Sequence, residues 1–249
     1  MTLRLEIDGA VARLLIDRPE KRNAVTQAMW DAFPALIAEA VASPARAILL
    51  ASATPGMFSA GADIGEFAAG ARDPDWRAAN QAAINRTQQD LARADKPTVA
   101  FIDGDCVGGG CGLALACDLR VATARARFGI TPAKLGLVYP LHDTKLLVDQ
   151  VGPAKAKRLL YTGVLIGAEE ALAIGLIDAI AASPDDRIAQ IVAQSGHSQR
   201  QTKAMVRRIL DGQAEDDDAT RAMFAGAFDG DDFAEGVSAF LEKRKAQFR

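Results

Sequence analysis

The chain has 249 residues, 49% of them hydrophobic and 24% charged, with a formal net charge of −3. That length buries a sizeable core in one domain, or in one domain with an appendage. The acidic balance argues against a nucleic-acid or anionic-membrane surface as the main partner. No apolar run reaches the length of a membrane span, and the opening Met1-Thr2-Leu3-Arg4-Leu5-Glu6 has no apolar signal core, so a cytoplasmic location is expected.

Residues 3–7 and 11–16 are apolar or alternating around Asp8-Gly9, a turn dipeptide, and predict a hairpin. Thr26 is placed to cap a helix running to about Val41. A short buried strand over 47–50 follows, then a long amphipathic helix over 76–94 that stops before Lys96-Pro97. Residues 98–102 predict an apolar strand, followed by a glycine-rich turn, a helix over 109–116 and a strand over 119–122. This recurrence of strand and helix points to a stacked α/β core. Beyond Val151 the pattern is helical: Pro153 suits the first position of a helix over 154–162, with further helices over 168–174, 185–194, 199–210, 217–228 and 232–248.

The three cysteines, Cys106, Cys111 and Cys117, are spaced by five and six residues. That spacing fits no CxxC-type zinc pattern, so they read as small buried thiols and no metal is indicated. Two segments carry more chemistry. Phe58-Ser59-Ala60-Gly61-Ala62-Asp63-Ile64 and Cys106-Val107-Gly108-Gly109-Gly110-Cys111-Gly112 both place small residues where backbone N–H groups stay uncovered. Two converging N–H donors can hold a thioester oxygen as it becomes an enolate. A dinucleotide loop fits poorly, because after Gly110 and Gly112 the third glycine position is Leu115, and Arg125-Ala126-Arg127 stands where an acidic partner belongs.

With Ile16–Ala24, Lys96-Pro97 through Asp118, Arg127-Phe128-Gly129, Gly163 to Asp178 and Glu235–Arg244 in the same order, the chain resembles the enoyl-CoA hydratase/isomerase family, the crotonase superfamily. The resemblance spans nearly the whole length. It implies an α/β fold with a crotonase-type ββα spiral core (residues 1–184) and a C-terminal helical trimerisation region (185–249), assembled as a homotrimer or a dimer of trimers. It implies an acyl-CoA substrate, with coenzyme A belonging to the substrate and no separate cofactor. Ala62 and Gly109 match the oxyanion-hole positions. Ala60, Asp63, Ile64 and Gly108 match the stretches along the CoA thioester, and Lys21 and Arg22 the basic positions near its phosphates. Asp63 reads equally well as the cap of the helix after it.

The chain departs from the hydratase pattern at both acid/base positions. The family's first glutamate falls at Gly112 and its second at Pro132, and neither can transfer a proton. Three readings stay open. The acid/base groups have moved, with Tyr139, His142 and Asp143 in a segment that borders the acyl end in relatives, and Glu66 after Ile64, as candidates. Asp143 or Thr144 could instead cap a following helix, with His142 facing solvent. Otherwise the reaction needs no base, as in a decarboxylase or hydrolase of a malonyl-type or other acyl-CoA, or the chain is a non-catalytic acyl-CoA-binding subunit.

Overall fold

The alternation at the N-terminus pairs across Asp8-Gly9: β1 (Leu3–Asp8) and β2 (Val11–Ile16) form the expected antiparallel hairpin, with Leu5 opposite Leu14. The fold is that of a computed structural model, which describes residues 2–248. Thr26 caps α1 (Gln27–Ala42) by accepting a hydrogen bond from the Met29 N–H, and the helix buries Met29, Trp30, Phe33, Ile37 and Ala40 along one face. The chain continues through β3 (Ala47–Ser52), α2 (Ile64–Gly70) and α3 (Pro74–Ala92). Then come β4 (Thr98–Ile102), β5 (Asp105–Val107), α4 (Gly109–Ala116), β6 (Leu119–Ala122) and β7 (Arg127–Gly129). Next are α5 (Leu141–Val151), α6 (Pro153–Thr162), β8 (Ile166–Gly167), α7 (Ala168–Ala173) and β9 (Ala179–Ile180). Four helices end the chain: α8 (Asp185–Val192), α9 (Gly196–Leu210), α10 (Asp218–Gly226) and α11 (Asp231–Leu241).

The strands sort into two sheets. The larger has the order β1-β2-β3-β4-β6-β9, parallel from β2 onward, and the smaller has the order β5-β7-β8. Successive turns of the chain feed one strand to each: β4 then β5, β6 then β7, β8 then β9. The mixed α/β spiral follows from this alternation. Central strands of a parallel sheet are covered on both faces, which is why β3 is an unbroken apolar run. One face, with Leu14, Leu50 and Ile102, packs on α1 and α4; the other, with Leu49, Val99 and Val121, packs on Ile188 of α8.

Three local outcomes differ from the periodicity. Helix α10 gives way at Ala227 to a single 3₁₀ turn, short of Phe228. Helix α11 ends at Leu241 although no Gly or Pro stops it. Lys243 enters the left-handed region (φ 56°) and the Arg244 N–H reaches the Ala239 carbonyl at 3.0 Å, a Schellman-type closure. Residues 136–144 are also only partly a loop, since α5 begins at Leu141 with Pro140 as its N-cap. His142 and Asp143 therefore lie in the first helical turn.

Arg120 ties β6 to the segment leading into β9. Nearly buried, at 3% exposure, it donates to the carbonyls of Leu176 and Cys117 and to the side chains of Gln150 and Asp178. Replacing Arg120 with Met removes the side-chain donor to the Leu176, Cys117 and Gln150 oxygens and leaves Asp178 without its cation. We expect a loss of about 3 kcal/mol in unfolding free energy, measured by urea denaturation.

Candidate active site

The segment 58–63 is clamped from both sides by backbone hydrogen bonds. The N–H groups of Phe58 and Ser59 donate to the Asp105 carbonyl, and the Val107 N–H donates to the Ser59 carbonyl. On the other side Ala60 N–H donates to Arg22, Val25 N–H to Gly61, and Asp63 N–H to Val25. Asn23 holds the corner. Fully buried at φ 55°, a conformation that Asn tolerates better than most residues, it donates through Nδ2 to Ser52 Oγ and the Phe58 carbonyl and accepts the Arg18 N–H. Arg18 also bonds Asp63 at 2.7 Å and the Ala24 carbonyl.

This clamp drives Gly61 onto the turn before α4. Gly61 has φ 91°, and a Cβ there would lie 2.6 Å from the Val107 carbonyl oxygen and 3.0 Å from the Gly109 nitrogen. Only glycine fits. A Cβ on Gly109 would in turn lie 3.5 Å from the Ala62 nitrogen and 3.3 Å from the edge of the Trp30 indole. The Ala62 and Gly109 N–H groups are thus neighbours. Neither donates to an acceptor among the described residues, and Gly109 is the first residue of α4, where the helix dipole is positive.

One turn further along the same face of α4 stands Gly112. A Cβ there would meet Gln88 Nε2 at 2.4 Å and Asp143 Oδ1 at 3.0 Å. The space for a side chain at position 112 is therefore filled from α3 and α5. Gln88 Nε2 donates to Asp143 Oδ1 at 2.8 Å, and both residues are buried. Gln88 Oε1 and Asp143 Oδ2 have no partner among the described residues. Burial pushes the Asp143 carboxyl above its usual pKa, against the Gln88 hydrogen bond and the His142 charge, which pull it down. Gln88 carries no motif in the sequence. The one signal for it is a polar residue on the buried face of an amphipathic helix.

The other candidates fall in different places. Tyr139 makes a long hydrogen bond, 3.4 Å, to the Gly108 carbonyl, and burial pushes its phenol well above the ordinary value. It braces the glycine turn as a neutral group. His142 points its buried Nε2 at no partner among the described residues. Burial lowers its pKa, and Asp143, Arg207, Lys145 and Arg93 are the charges that act on it. Glu66 accepts the Gln27 N–H at 2.7 Å, so it serves the N-terminus of α1. Asp63 caps α2, accepting from the Gly65 and Glu66 N–H groups, while the Arg18 guanidinium holds its carboxyl below the usual range. Ala60 belongs to the clamp, Gly108 is the N-cap of α4, and Ile64 is exposed at the start of α2. Lys21 and Arg22 are exposed beside that clamp and pair with no carboxylate among the described residues. Pro132 opens a 3₁₀ turn, Pro132–Leu135, that carries no acidic residue. The three thiols are buried; burial pushes Cys117 up to about 12.

An α/β spiral that sets two neighbouring N–H groups without acceptors one helical turn from a buried carboxyl is a class of arrangement able to act on a polarised carbonyl. Comparison with known proteins names the class. A family model described as enoyl-CoA hydratase/isomerase matches residues 6–249. The crotonyl-CoA hydratase of Syntrophomonas wolfei is 31% identical over 255 residues, covering 98% of this chain and 96% of its own length. The short-chain-enoyl-CoA hydratase of Clostridium acetobutylicum is 31% identical over 256 residues, covering 98% and 95%. The crystal structure of an enoyl-CoA hydratase/isomerase family protein from Hyphomonas neptunium superposes with a TM-score of 0.96 at 41% identity, covering 100% of this chain and 98% of the other. The chain belongs to the enoyl-CoA hydratase/isomerase family, and its fold is the crotonase fold.

The Asp143 environment has a thermodynamic signature. Its native pKa is raised, so the folded state keeps the proton to higher pH than the unfolded chain, whose carboxyl titrates near 3.9. Stability contributed by Asp143 is full below that value and is lost as pH rises toward the native pKa. Urea unfolding of the wild type and Asp143→Asn across pH 3.5–8 should show the wild type losing stability relative to the variant as pH rises. A pH-independent difference would contradict the buried, destabilised carboxylate.

Proposed function

We propose that the protein is an acyl-CoA enzyme in which the Ala62 and Gly109 N–H groups hold the thioester oxygen and Asp143 moves the proton. The observation that carries this reading is the filling of the position-112 space by Asp143, in contact with the turn that presents Gly109. A carboxyl with a raised pKa and one unpartnered oxygen is suited to general acid–base work. A single carboxylate that takes a proton at one carbon and returns it at another shifts the double bond of an enoyl-CoA; the same group acting on water gives hydration. The reading is therefore hydratase/isomerase-type chemistry with one acid/base residue. The buried Asp143 carboxylate disfavours a malonyl-type substrate, whose own carboxylate it repels when ionised. Coenzyme A enters with the substrate, and the unpaired Lys21 and Arg22 suit its phosphates.

The test is a turnover panel of crotonyl-CoA, a 3-enoyl-CoA and methylmalonyl-CoA, read by enoyl absorbance and by mass. Hydration or isomerisation is expected, with kcat falling roughly 10²–10⁴-fold in Asp143→Asn. Gly109→Pro should abolish turnover, because it removes the N–H at a helix position that otherwise accepts proline. Full activity in either variant would refute the assignment. Release of CO2 from methylmalonyl-CoA with no action on the enoyl substrates would favour the decarboxylase reading.

The C-terminal helices leave Phe224, Phe228, Phe240 and Leu241 more than half exposed. Apolar exposure on that scale suits burial between copies of the chain, in a homotrimer or a dimer of trimers. Sedimentation equilibrium should give three or six protomers, and Phe240→Asp should dissociate them; a monomeric wild type would overturn this assembly.

A further inference from the structure

Among the described residues, few buried polar side-chain atoms lack a partner, and two of them, Gln88 Oε1 and Asp143 Oδ2, belong to side chains joined to each other by a single hydrogen bond through their other polar atoms. Such atoms are rare in folded proteins because each forfeits its hydration, so a pair at one place needs a reason. An ionised carboxylate only accepts hydrogen bonds, so the amide face turned toward Asp143 must be Nε2. That contact engages Oδ1 and leaves Oδ2 as the oxygen without a task in the resting fold.

We propose that Gln88 is a positioning residue, which anchors Asp143 through Oδ1 so that Oδ2 is the oxygen presented to the acyl group, and that Gly112 is kept small to admit this amide. The inference rests on the reading of Asp143 as the acid/base group. Gln88 is itself well fixed for the task. It follows Thr87, whose hydroxyl donates to the Trp30 carbonyl at 3.1 Å, and α3 is thereby pinned to α1. The same helix face carries Asn80, bonded to Gln27 Oε1 at 2.7 Å. The groups around Asp143 are otherwise poor at holding a charge in register. Tyr139 is held protonated by burial, His142 lies on the same helix as Asp143, and the contribution from α3 is amide. From α4 the facing residue is Gly112, without a side chain. Gln88 thus makes the short, direct side-chain hydrogen bond to the Asp143 carboxylate, with Gln81 of α3 and the Asp143 N–H as weaker contributors that also favour its charged form.

Gln88→Leu removes the donor while leaving an apolar side chain of similar bulk. We expect kcat on the enoyl-CoA that the wild type turns over to fall roughly 10²-fold, as for a reacting group displaced by about 1 Å, with KM little changed. The hydrogen bond favours the ionised carboxylate, so its loss moves the acid limb of the pH profile upward. Gln88→Glu should move that limb further in the same direction, because a second carboxylate then faces Asp143. Gly112→Ala, whose methyl group would press on Gln88 Nε2 and on Asp143 Oδ1, should lower kcat and shift the same limb. A wild-type rate and pH profile in Gln88→Leu would overturn the proposal. Should Gln88→Leu fail to fold by circular dichroism, Gly112→Ala and Gln88→Glu decide through the same pH limb. Asp143→Asn separates the two levels: if it keeps activity, the reading of Asp143 fails; if it is inactive while Gln88→Leu behaves as wild type, only the positioning role fails.

Discussion

The contact between Gly61 and the turn that opens α4 is the constraint on which the rest of the molecule depends. Three separate parts of the chain converge there: the 22–25 segment, the 58–63 segment and the end of β5. Backbone hydrogen bonds bring them together, and the absence of a Cβ at Gly61 lets them close to a distance that any other residue forbids. The large sheet and α1 fix the first two, while the small sheet fixes the third through the β5–β7 pairing. Two N–H groups from distant positions become neighbours as a consequence of the whole spiral. Preorganisation of this kind removes the need to reorient dipoles during a reaction, which is the source of its effect on a developing negative charge.

Asn23 shows how much of that geometry rests on one side chain. Its left-handed backbone bends the chain out of the turn after Pro19–Lys21, and its amide then satisfies three groups that the bend would otherwise strand. Arg18 extends the network to Asp63, so the carboxylate after Ala62 is engaged in holding its own segment down. Residues at the centre of such networks look functional in a sequence because their types are polar and their setting is a glycine-rich motif. Their contribution here is to hold the backbone that carries Ala62.

The sequence made the local features legible and left the non-local ones hidden. The hairpin, the Thr26 cap and the α4 boundaries follow from alternation, capping chemistry and the glycine run, all of which act within a few residues. The strands β5, β7, β8 and β9 are two or three residues long, too short for any period to show. They exist because the spiral aligns them. The end of α11 rests on a left-handed lysine, for which composition gives no warning. At the site, the two glycine-bearing motifs could be read directly, whereas the meeting of Gln88, Gly112 and Asp143 depends on the packing of three helices. Asp143 could be named as one of several candidates, but no spacing rule distinguishes it from His142 beside it. Burial and the direction of the side chain do.

The two departures at Gly112 and Pro132 therefore have different meanings. At 112 the space beside the glycine is occupied by the Gln88 amide and the Asp143 carboxyl, so that a carboxyl reaches this point from α5, and glycine is what makes the approach sterically possible. Gly112 and Asp143 form one exchange, since an acid at 112 would collide with the amide and the carboxylate already there. At 132 the proline starts a 3₁₀ turn without an acidic residue, which leads to Tyr139 and its brace on the glycine turn. On the proposed reading the site has a single proton carrier, Asp143, beside the protonated Tyr139 and the amide of Gln88. Its chemistry is then set by where one carboxylate oxygen can reach along the acyl chain, which places the burden of specificity on the helix packing that aims Asp143.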